Sequence, residues 1–286
     1  MCYRLEIRMR WLIVVFAVLF GLALPQVLQA AEKESAFDRV MRTNTLRCGY
    51  VVIPPQFTLD PKTGQFSGIT YDIITEVAKR LHLKVEWTEQ VTFATMAEGI
   101  QTGRYDAFCL TTYRWAPMAR VFDYTDPIFY STVDAYVRAN DNRFDKDLKV
   151  INDGKITIAT IDGEGAETIR TEDFPSAKVY SMPQDTDMSM LLEAVTTKKA
   201  DVTFANPLMA MPYLLARPGA VKRVEGHNPI RAYAHALAFG KGEQKLMSTF
   251  NIVLDEMRNS GVIDQILDKY EQIPHSLVRV KSPVRN

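Results

Sequence analysis

Residues 96–106 read Met-Ala-Glu-Gly-Ile-Gln-Thr-Gly-Arg-Tyr-Asp, and residues 191–201 read Leu-Leu-Glu-Ala-Val-Thr-Thr-Lys-Lys-Ala-Asp. At one offset of 95 residues Glu98 falls on Glu193, Ile100 on Val195, Thr102 on Thr197 and Asp106 on Asp201. In both copies a segment of helical spacing is followed by the Asp and then by a short apolar run. A helix that ends at a glycine or polar turn and delivers the chain into a buried strand is half of a strand-helix-strand unit. Two copies at one offset predict two similar lobes.

Outward from the first copy, residues 46–50 form a short apolar strand pattern, followed by Pro54-Pro55, a loop with Gly64 and Gly68, and helical spacing over 71–81. Leu83-Lys84-Val85-Glu86-Trp87 alternates as a strand does, the spacing predicts a helix from about 93 to 102, and 107–110 reads as a buried strand. Strand, helix, strand, helix, strand predicts an α/β fold whose mostly parallel sheet is covered on both faces. Outward from the second copy, 156–161 is strand-like and Gly163-Glu164-Gly165 opens a helix near Ala166. Residues 229–240 lead into an amphipathic helix over 244–259 and a shorter one over 262–270. Ligands of parallel sheets collect where strand ends meet helix N-termini. Those ends are Thr111-Thr112, 162–165 and Ala205-Asn206.

At the N-terminus Arg4, Arg8 and Arg10 precede an apolar run over 11–24 that ends near Pro25 and Ala30-Ala31. That pattern predicts a secretory signal peptide over 1–31, with an uncleaved anchor as the alternative. The run is short for a spanning helix and has no later counterpart, so a soluble mature protein outside the cytoplasm is expected. Removing it takes three of 34 basic and one of 34 acidic residues, leaving a chain near neutrality with nothing that points to nucleic acid. Cys48 and Cys109 sit in apolar strand-like segments, either as two small core residues or as a disulfide. His82, His227, His235 and His275 are dispersed without metal-ligand spacing, and Gly163-Glu164-Gly165 is too short for a phosphate loop. Neither a metal nor a cofactor is predicted.

Further stretches carry a resemblance over nearly the whole mature chain: Thr45-Leu46-Arg47-Cys48-Gly49-Tyr50, Pro54-Pro55-Gln56-Phe57, Gly68-Ile69-Thr70-Tyr71-Asp72-Ile73, Gly103-Arg104-Tyr105-Asp106-Ala107 and Phe122-Asp123-Tyr124-Thr125-Asp126-Pro127. In this order and spacing the chain resembles the extracellular solute-binding proteins of the polar amino acid type, which serve ABC importers. The resemblance implies the type II periplasmic-binding-protein fold. Lobe one would then hold 32–133 and 234–286, and lobe two 134–233. Two crossings, near 131–137 and 230–235, would form a hinge that ligand contact closes. The implied partners are a small polar solute and an inner-membrane permease, with the protein acting as a periplasmic monomer.

Such proteins commonly clamp an amino acid's carboxylate with an Arg five residues before the Asp-aromatic-Ser/Thr-Asp run, and its ammonium with an Asp at the end of a lobe-two strand. In this chain those positions are Met118 and Asn206. A thioether offers nothing like the bidentate hydrogen bonds of a guanidinium. Arg114 is the candidate substitute, with a solvated loop charge as the alternative, and Arg120 is a weaker one. Phe93 falls where the family places a ring that stacks on the ligand, and Phe57 is expected to occupy some of the space of a lost opposing ring. Thr111, Thr112 and Tyr113 match strand-end positions that offer backbone and hydroxyl hydrogen bonds. Gly163-Glu164-Gly165 replaces the usual Gly followed by Ser or Thr. Glu164 is then either a partial substitute for the missing Asp, binding a cationic or hydroxyl-bearing group, or a first-turn acid that points to water. Asn206 suits a neutral polar group.

Import by solute binding needs only cleft contacts and a hinge. Its rival is a periplasmic cyclohexadienyl (prephenate or arogenate) dehydratase on the same scaffold, with Glu164 as general acid. A ligand sensor docking on a membrane receptor is the third reading.

Overall fold

The computed structural model describes residues 34–274 and 276–281. The expected signal peptide and His275 lie outside the described residues. After helix α1 (Ala36–Thr43) come β1 (Thr45–Tyr50), a small hairpin of β2 (Thr58–Leu59) and β3 (Phe66–Ser67), and α2 (Ile69–Arg80). Then follow β4 (Lys84–Gln90), α3 (Met96–Thr102), β5 (Ala107–Tyr113) and β6 (Phe122–Tyr124). Helix α2 turns Ile69, Ile73, Ile74, Val77 and Ala78 to the interior at helical spacing and ends on Lys79 and Arg80. Helix α3 starts three residues later than the spacing predicts. Thr92 and Thr95 close a local turn, the Thr92 amide donating to the Thr95 hydroxyl at 3.1 Å, which competes with helix. Strand β5 runs three residues further than 107–110, because Thr112 and Tyr113 still pair with the chain at Ala236 and His235.

The second set comprises β7 (Phe129–Arg138), β8 (Thr157–Ile161), α4 (Gly165–Asp173), β9 (Lys178–Met182) and α5 (Ser189–Thr196). It continues with β10 (Val202–Ala205), α6 (Pro207–Ala216) and β11 (Val221–Arg223). The stretch at 229–240 is itself a strand, β12 (Arg231–Gly240), followed by α7 (Gln244–Ser260), α8 (Val262–Tyr270) and β13 (Leu277–Arg279). The main sheet order is β4-β1-β5-β12-β7-β10-β8-β9. Pairs β1–β4, β1–β5, β8–β9 and β8–β10 are parallel, while the central strands β12 and β7 run antiparallel to their neighbours.

Alternation sorts each strand onto two faces. Leu46, Cys48, Ala107, Cys109, Leu237 and Phe239 enter one core, and Phe108, Leu110 and Ala238 enter another on the opposite face. The same division recurs at the other end of the sheet: Ile158, Val202 and Phe204 lie in one core, Ala159, Ile161 and Ala205 in the other.

The repeat is visible atom for atom. Asp106 donates its amide to the Arg47 carbonyl and accepts the Arg47 amide at 2.8 Å. Asp201 donates its amide to the Thr157 carbonyl and accepts the Thr157 amide at 3.0 Å. Each carboxylate also holds two arginines, Arg39 and Arg47 in the first case, Arg138 and Arg143 in the second. Thr102 and Thr197 bond back to the carbonyls of Glu98 and Glu193, both at 2.7 Å. Gly103 and Lys198 both take the left-handed conformation.

Cys48 and Cys109 form a disulfide with Cα atoms 5.3 Å apart. The alternative of two unpaired core cysteines is thereby overturned. Strands β1 and β5 are parallel neighbours and the two side chains enter the same core, so their sulfurs meet.

Candidate ligand-binding site

The C-terminal ends of β5, β8 and β10 converge where β7 and β12 pass between the two parts of the sheet. Tyr113, at the end of β5, stacks on Tyr233 of β12 with ring centroids 4.8 Å apart and 30° between planes. Its hydroxyl faces the side chains of Ser131 and Asn206. Burial pushes the Tyr113 pKa up; Ser131 and Asn206 pull it back, and the negative charges of Tyr233 and Glu164 add to the rise. All five of these residues belong to different strands or loops, so the tyrosine joins groups that are remote in sequence.

Glu164 caps α4 with extended backbone but makes no side-chain cap bond. Its half-buried carboxylate has no ion-pair partner among the described residues, and desolvation alone pushes its pKa up. The neighbouring amide of Gly163 is taken by the Glu167 carboxylate at 2.6 Å. This disfavours an anion at the helix start. Gly163 sits at φ 78°, and a Cβ on Gly165 would lie 3.9 Å from the Tyr233 hydroxyl. The loop thus rests beside the tyrosine pair.

Asn206 is 7% exposed, and its side-chain oxygen accepts the Leu208 amide at 2.8 Å, capping α6. The oxygen is committed to the helix, which leaves the amide nitrogen for Tyr113 or a ligand. Thr111 is also committed. Its hydroxyl lies 2.9 Å from both the Thr70 hydroxyl and Gln56 Oε1, and its own amide donates to Thr70. Thr112 is half-buried in register with Ala236.

The lobe-one candidates divide. Phe93 is 48% exposed and only edge-on to Phe108, leaving a free ring face. Arg114 is exposed; its amide donates to the Ala234 carbonyl, and its charge offsets part of the burial that pushes Tyr124 up to about 12. Met118 lies in a 3-10 turn (Ala116–Arg120) and packs against the core around Tyr105 and Phe108. Phe57 does not reach the strand-end surface. It is fully buried among Tyr50, Phe66 and Trp87, with the Trp87 ring 4.8 Å away, because the turn after Ile53 folds it inward.

Three further residues belong to this junction. Tyr233, His235 and Ser131 line the crossing strands; the first two carry a signal in the sequence, the strict alternation Arg-Ala-Tyr-Ala-His-Ala over 231–236, and Ser131 carries none. His235 is 1% exposed, and burial lowers its pKa to about 4. Its Nδ1 lies 3.4 Å from the Thr111 carbonyl and its Nε2 2.8 Å from the Ser131 hydroxyl. A carbonyl only accepts, so Nδ1 carries the proton and Nε2 accepts from Ser131. A separate concavity of about 830 Å³, lined by Arg138, Asp141, Arg143, Lys198 and Asp201, lies at the opposite strand ends. There Asp141 and Asp201 are already neutralised by Arg138 and Arg143.

Residues 46–273 match the bacterial extracellular solute-binding proteins, family 3. A probable amino-acid ABC transporter-binding protein of Haemophilus influenzae is 26% identical over 229 residues, covering 80% of this chain and 85% of that protein. A probable histidine-binding protein of Campylobacter jejuni is 24% identical, covering 92% of this chain and 99% of the relative. Among solved structures, an ancestral amino acid-binding protein described as a precursor of cyclohexadienyl dehydratase superposes with a TM-score of 0.67. It is 23% identical and covers 83% of this chain and 99% of its own. The fold is the type II periplasmic-binding-protein fold, and the chain belongs to the extracellular solute-binding proteins of family 3.

Proposed function

We propose that this chain is the periplasmic substrate-binding component of an ABC importer, capturing a small polar solute between two lobes and presenting the closed form to an inner-membrane permease. It is exported by its N-terminal signal peptide and acts as a monomer. Lobe one is 32–133 with 234–286, lobe two is 134–233, and β7 and β12 are the hinge. The observation that carries the proposal is the meeting of Tyr113 from β5, Asn206 from β10 and Glu164 from the β8 end around the two crossing strands.

Within that site Glu164 is the cation or hydroxyl acceptor, since it is a desolvated carboxylate with no ion-pair partner among the described residues. Arg114 takes an anionic group from lobe one, Phe93 supplies a ring face, and the amide nitrogen of Asn206 serves a neutral acceptor. Met118 supplies apolar contact only. A raised carboxylate pKa is also what a general acid requires, so the dehydratase reading has Glu164 in its favour.

Thermal melting of the signal-free protein against amino acids, amines, carboxylates, ureas, small aromatics and sugars tests both. A cognate solute at about 100 times its Kd stabilises by about 2.7 kcal/mol. A shift confined to one chemical class supports the importer component. No shift, with prephenate or arogenate consumed instead, would replace it with the enzyme.

A further inference from the structure

Strand β12 changes partner at one residue. Its first half pairs with β7 and its second with β5, and His235 is in register with both, opposite Phe129 on β7 and Tyr113 on β5. Its side chain contacts the same residues. The imidazole lies flat on the Phe129 ring at 4.4 Å and 14°, and meets the Tyr113 ring edge-on at 4.8 Å and 76°. One nitrogen engages Ser131 of β7, the other the Thr111 carbonyl of β5. An apolar residue of similar size would pack as well but would take the imidazole donor from the Thr111 carbonyl and leave the Ser131 hydroxyl with Tyr113 alone. Polar matching to two strands at once is therefore the property that histidine adds.

We infer that His235 is a positioning residue of the hinge, the pivot that ties β5, β7 and β12 together and fixes the angle at which Tyr113 faces Asn206 and Glu164. This rests on the two-lobe reading proposed above. Hinge motion needs a change of backbone angle at the crossing, and a buried ring held by contacts to β5 and β7 resists that change. Loss of the ring loosens the orientation of the lobes, and its packing cost falls on Phe129, the residue of the first core on which the ring stacks.

Spin labels at Lys62→Cys and Asp185→Cys in a Cys2→Ser background, both in exposed loops of the two proposed lobes, report the inter-lobe distance, since Cys48 and Cys109 are held in a disulfide. The ligand-free native protein should give a narrow distance distribution that a solute from a panel of L-histidine, L-arginine and L-cystine shifts. His235→Ala should broaden the ligand-free distribution at least twofold while cooperative unfolding persists. His235→Gln can donate to Thr111 and accept from Ser131, and should restore most of the native width. If His235→Ala does not fold, Ser131→Ala removes one partner of the imidazole and should broaden the distribution in the same direction. A native width in the variant that folds, with only a lower melting temperature, overturns the pivot and leaves the binding proposal standing. A native distribution that no solute shifts removes the hinge and the pivot with it.

Discussion

The two copies of the helix-Asp-strand unit share a backbone and differ in what fills it. In the first, the Tyr105 ring lies over Gly99 of α3 and Gly49 of β1; a Cβ at Gly99 would come within 2.2 Å of that ring, and one at Gly49 within 2.5 Å. In the second, the offset of 95 puts Ala194 and Ala200 at the positions of Gly99 and Tyr105. The shared Asp bonds to Arg47 and Thr157 align Ala159 with Gly49. One tyrosine against two glycines is thus exchanged for three buried alanines. The disulfide Cys48–Cys109 has as its counterpart the apolar pair Ile158 and Phe204. Packing density is satisfied twice with different side chains, while the Asp, which answers to backbone hydrogen bonds, is the same both times.

The largest expected contrast tests that Asp. The Asp106 carboxylate is 1% exposed and holds two arginines as well as the Arg47 amide; that of Asp201 is 22% exposed. Asp106→Ala takes the carboxylate from two part-buried guanidiniums and from the Arg47 amide, and should cost about 4 kcal/mol of unfolding free energy. Asp201→Ala, where water reaches the freed groups, should cost about 2 kcal/mol. Urea unfolding of both variants measures the difference, and equal losses would show that burial does not separate the two copies.

The fill of the two copies can be exchanged. Gly99→Ala drives a methyl into the Tyr105 ring and should cost about 3 kcal/mol despite the better helix propensity of alanine. In a Tyr105→Ala background the same change should be close to neutral, since it reproduces the arrangement at Ala194 and Ala200. Full additivity in this double-mutant cycle would mean that the apparent contact between Gly99 and Tyr105 does not carry the cost.

Most of the fold was legible because its signals are local. The helix, its turn and the Asp are written within eleven residues with the buried strand directly after them, and their recurrence at one offset reappears as two matching sets of Asp contacts. Helix α8 was read to the residue from its apolar spacing. Boundaries slipped where side chains compete with the backbone, as Thr92 and Thr95 do before α3. The site was less legible. Strand ends single out Glu164 and Asn206, and the family resemblance adds Tyr113, but Phe57 lies elsewhere because its surroundings of Tyr50, Phe66 and Trp87 are assembled from distant segments. Tyr233 and Ser131 were missed, and His235 was taken as dispersed, because their meaning comes from the register between β7 and β12, which no single segment encodes.

His235 sits at the joint between the two compared regions, and its protonation provides the smallest and most specific test. The imidazole is neutral when folded because burial lowers its pKa to about 4, well below the 6.5 of an unfolded histidine. Below pH 6.5 the unfolded chain takes up a proton that the folded chain does not, so stability falls with acid until the folded pKa is passed. Between pH 7.5 and 5 the expected loss is about 2 kcal/mol. Measured as the difference between the native protein and His235→Gln, contributions common to the two proteins cancel. A difference that stays flat over this range would mean that solvent reaches the imidazole in solution. The side-chain link between the two parts of the sheet would then fall to Tyr113, through Tyr233 and Asn206, and not to His235.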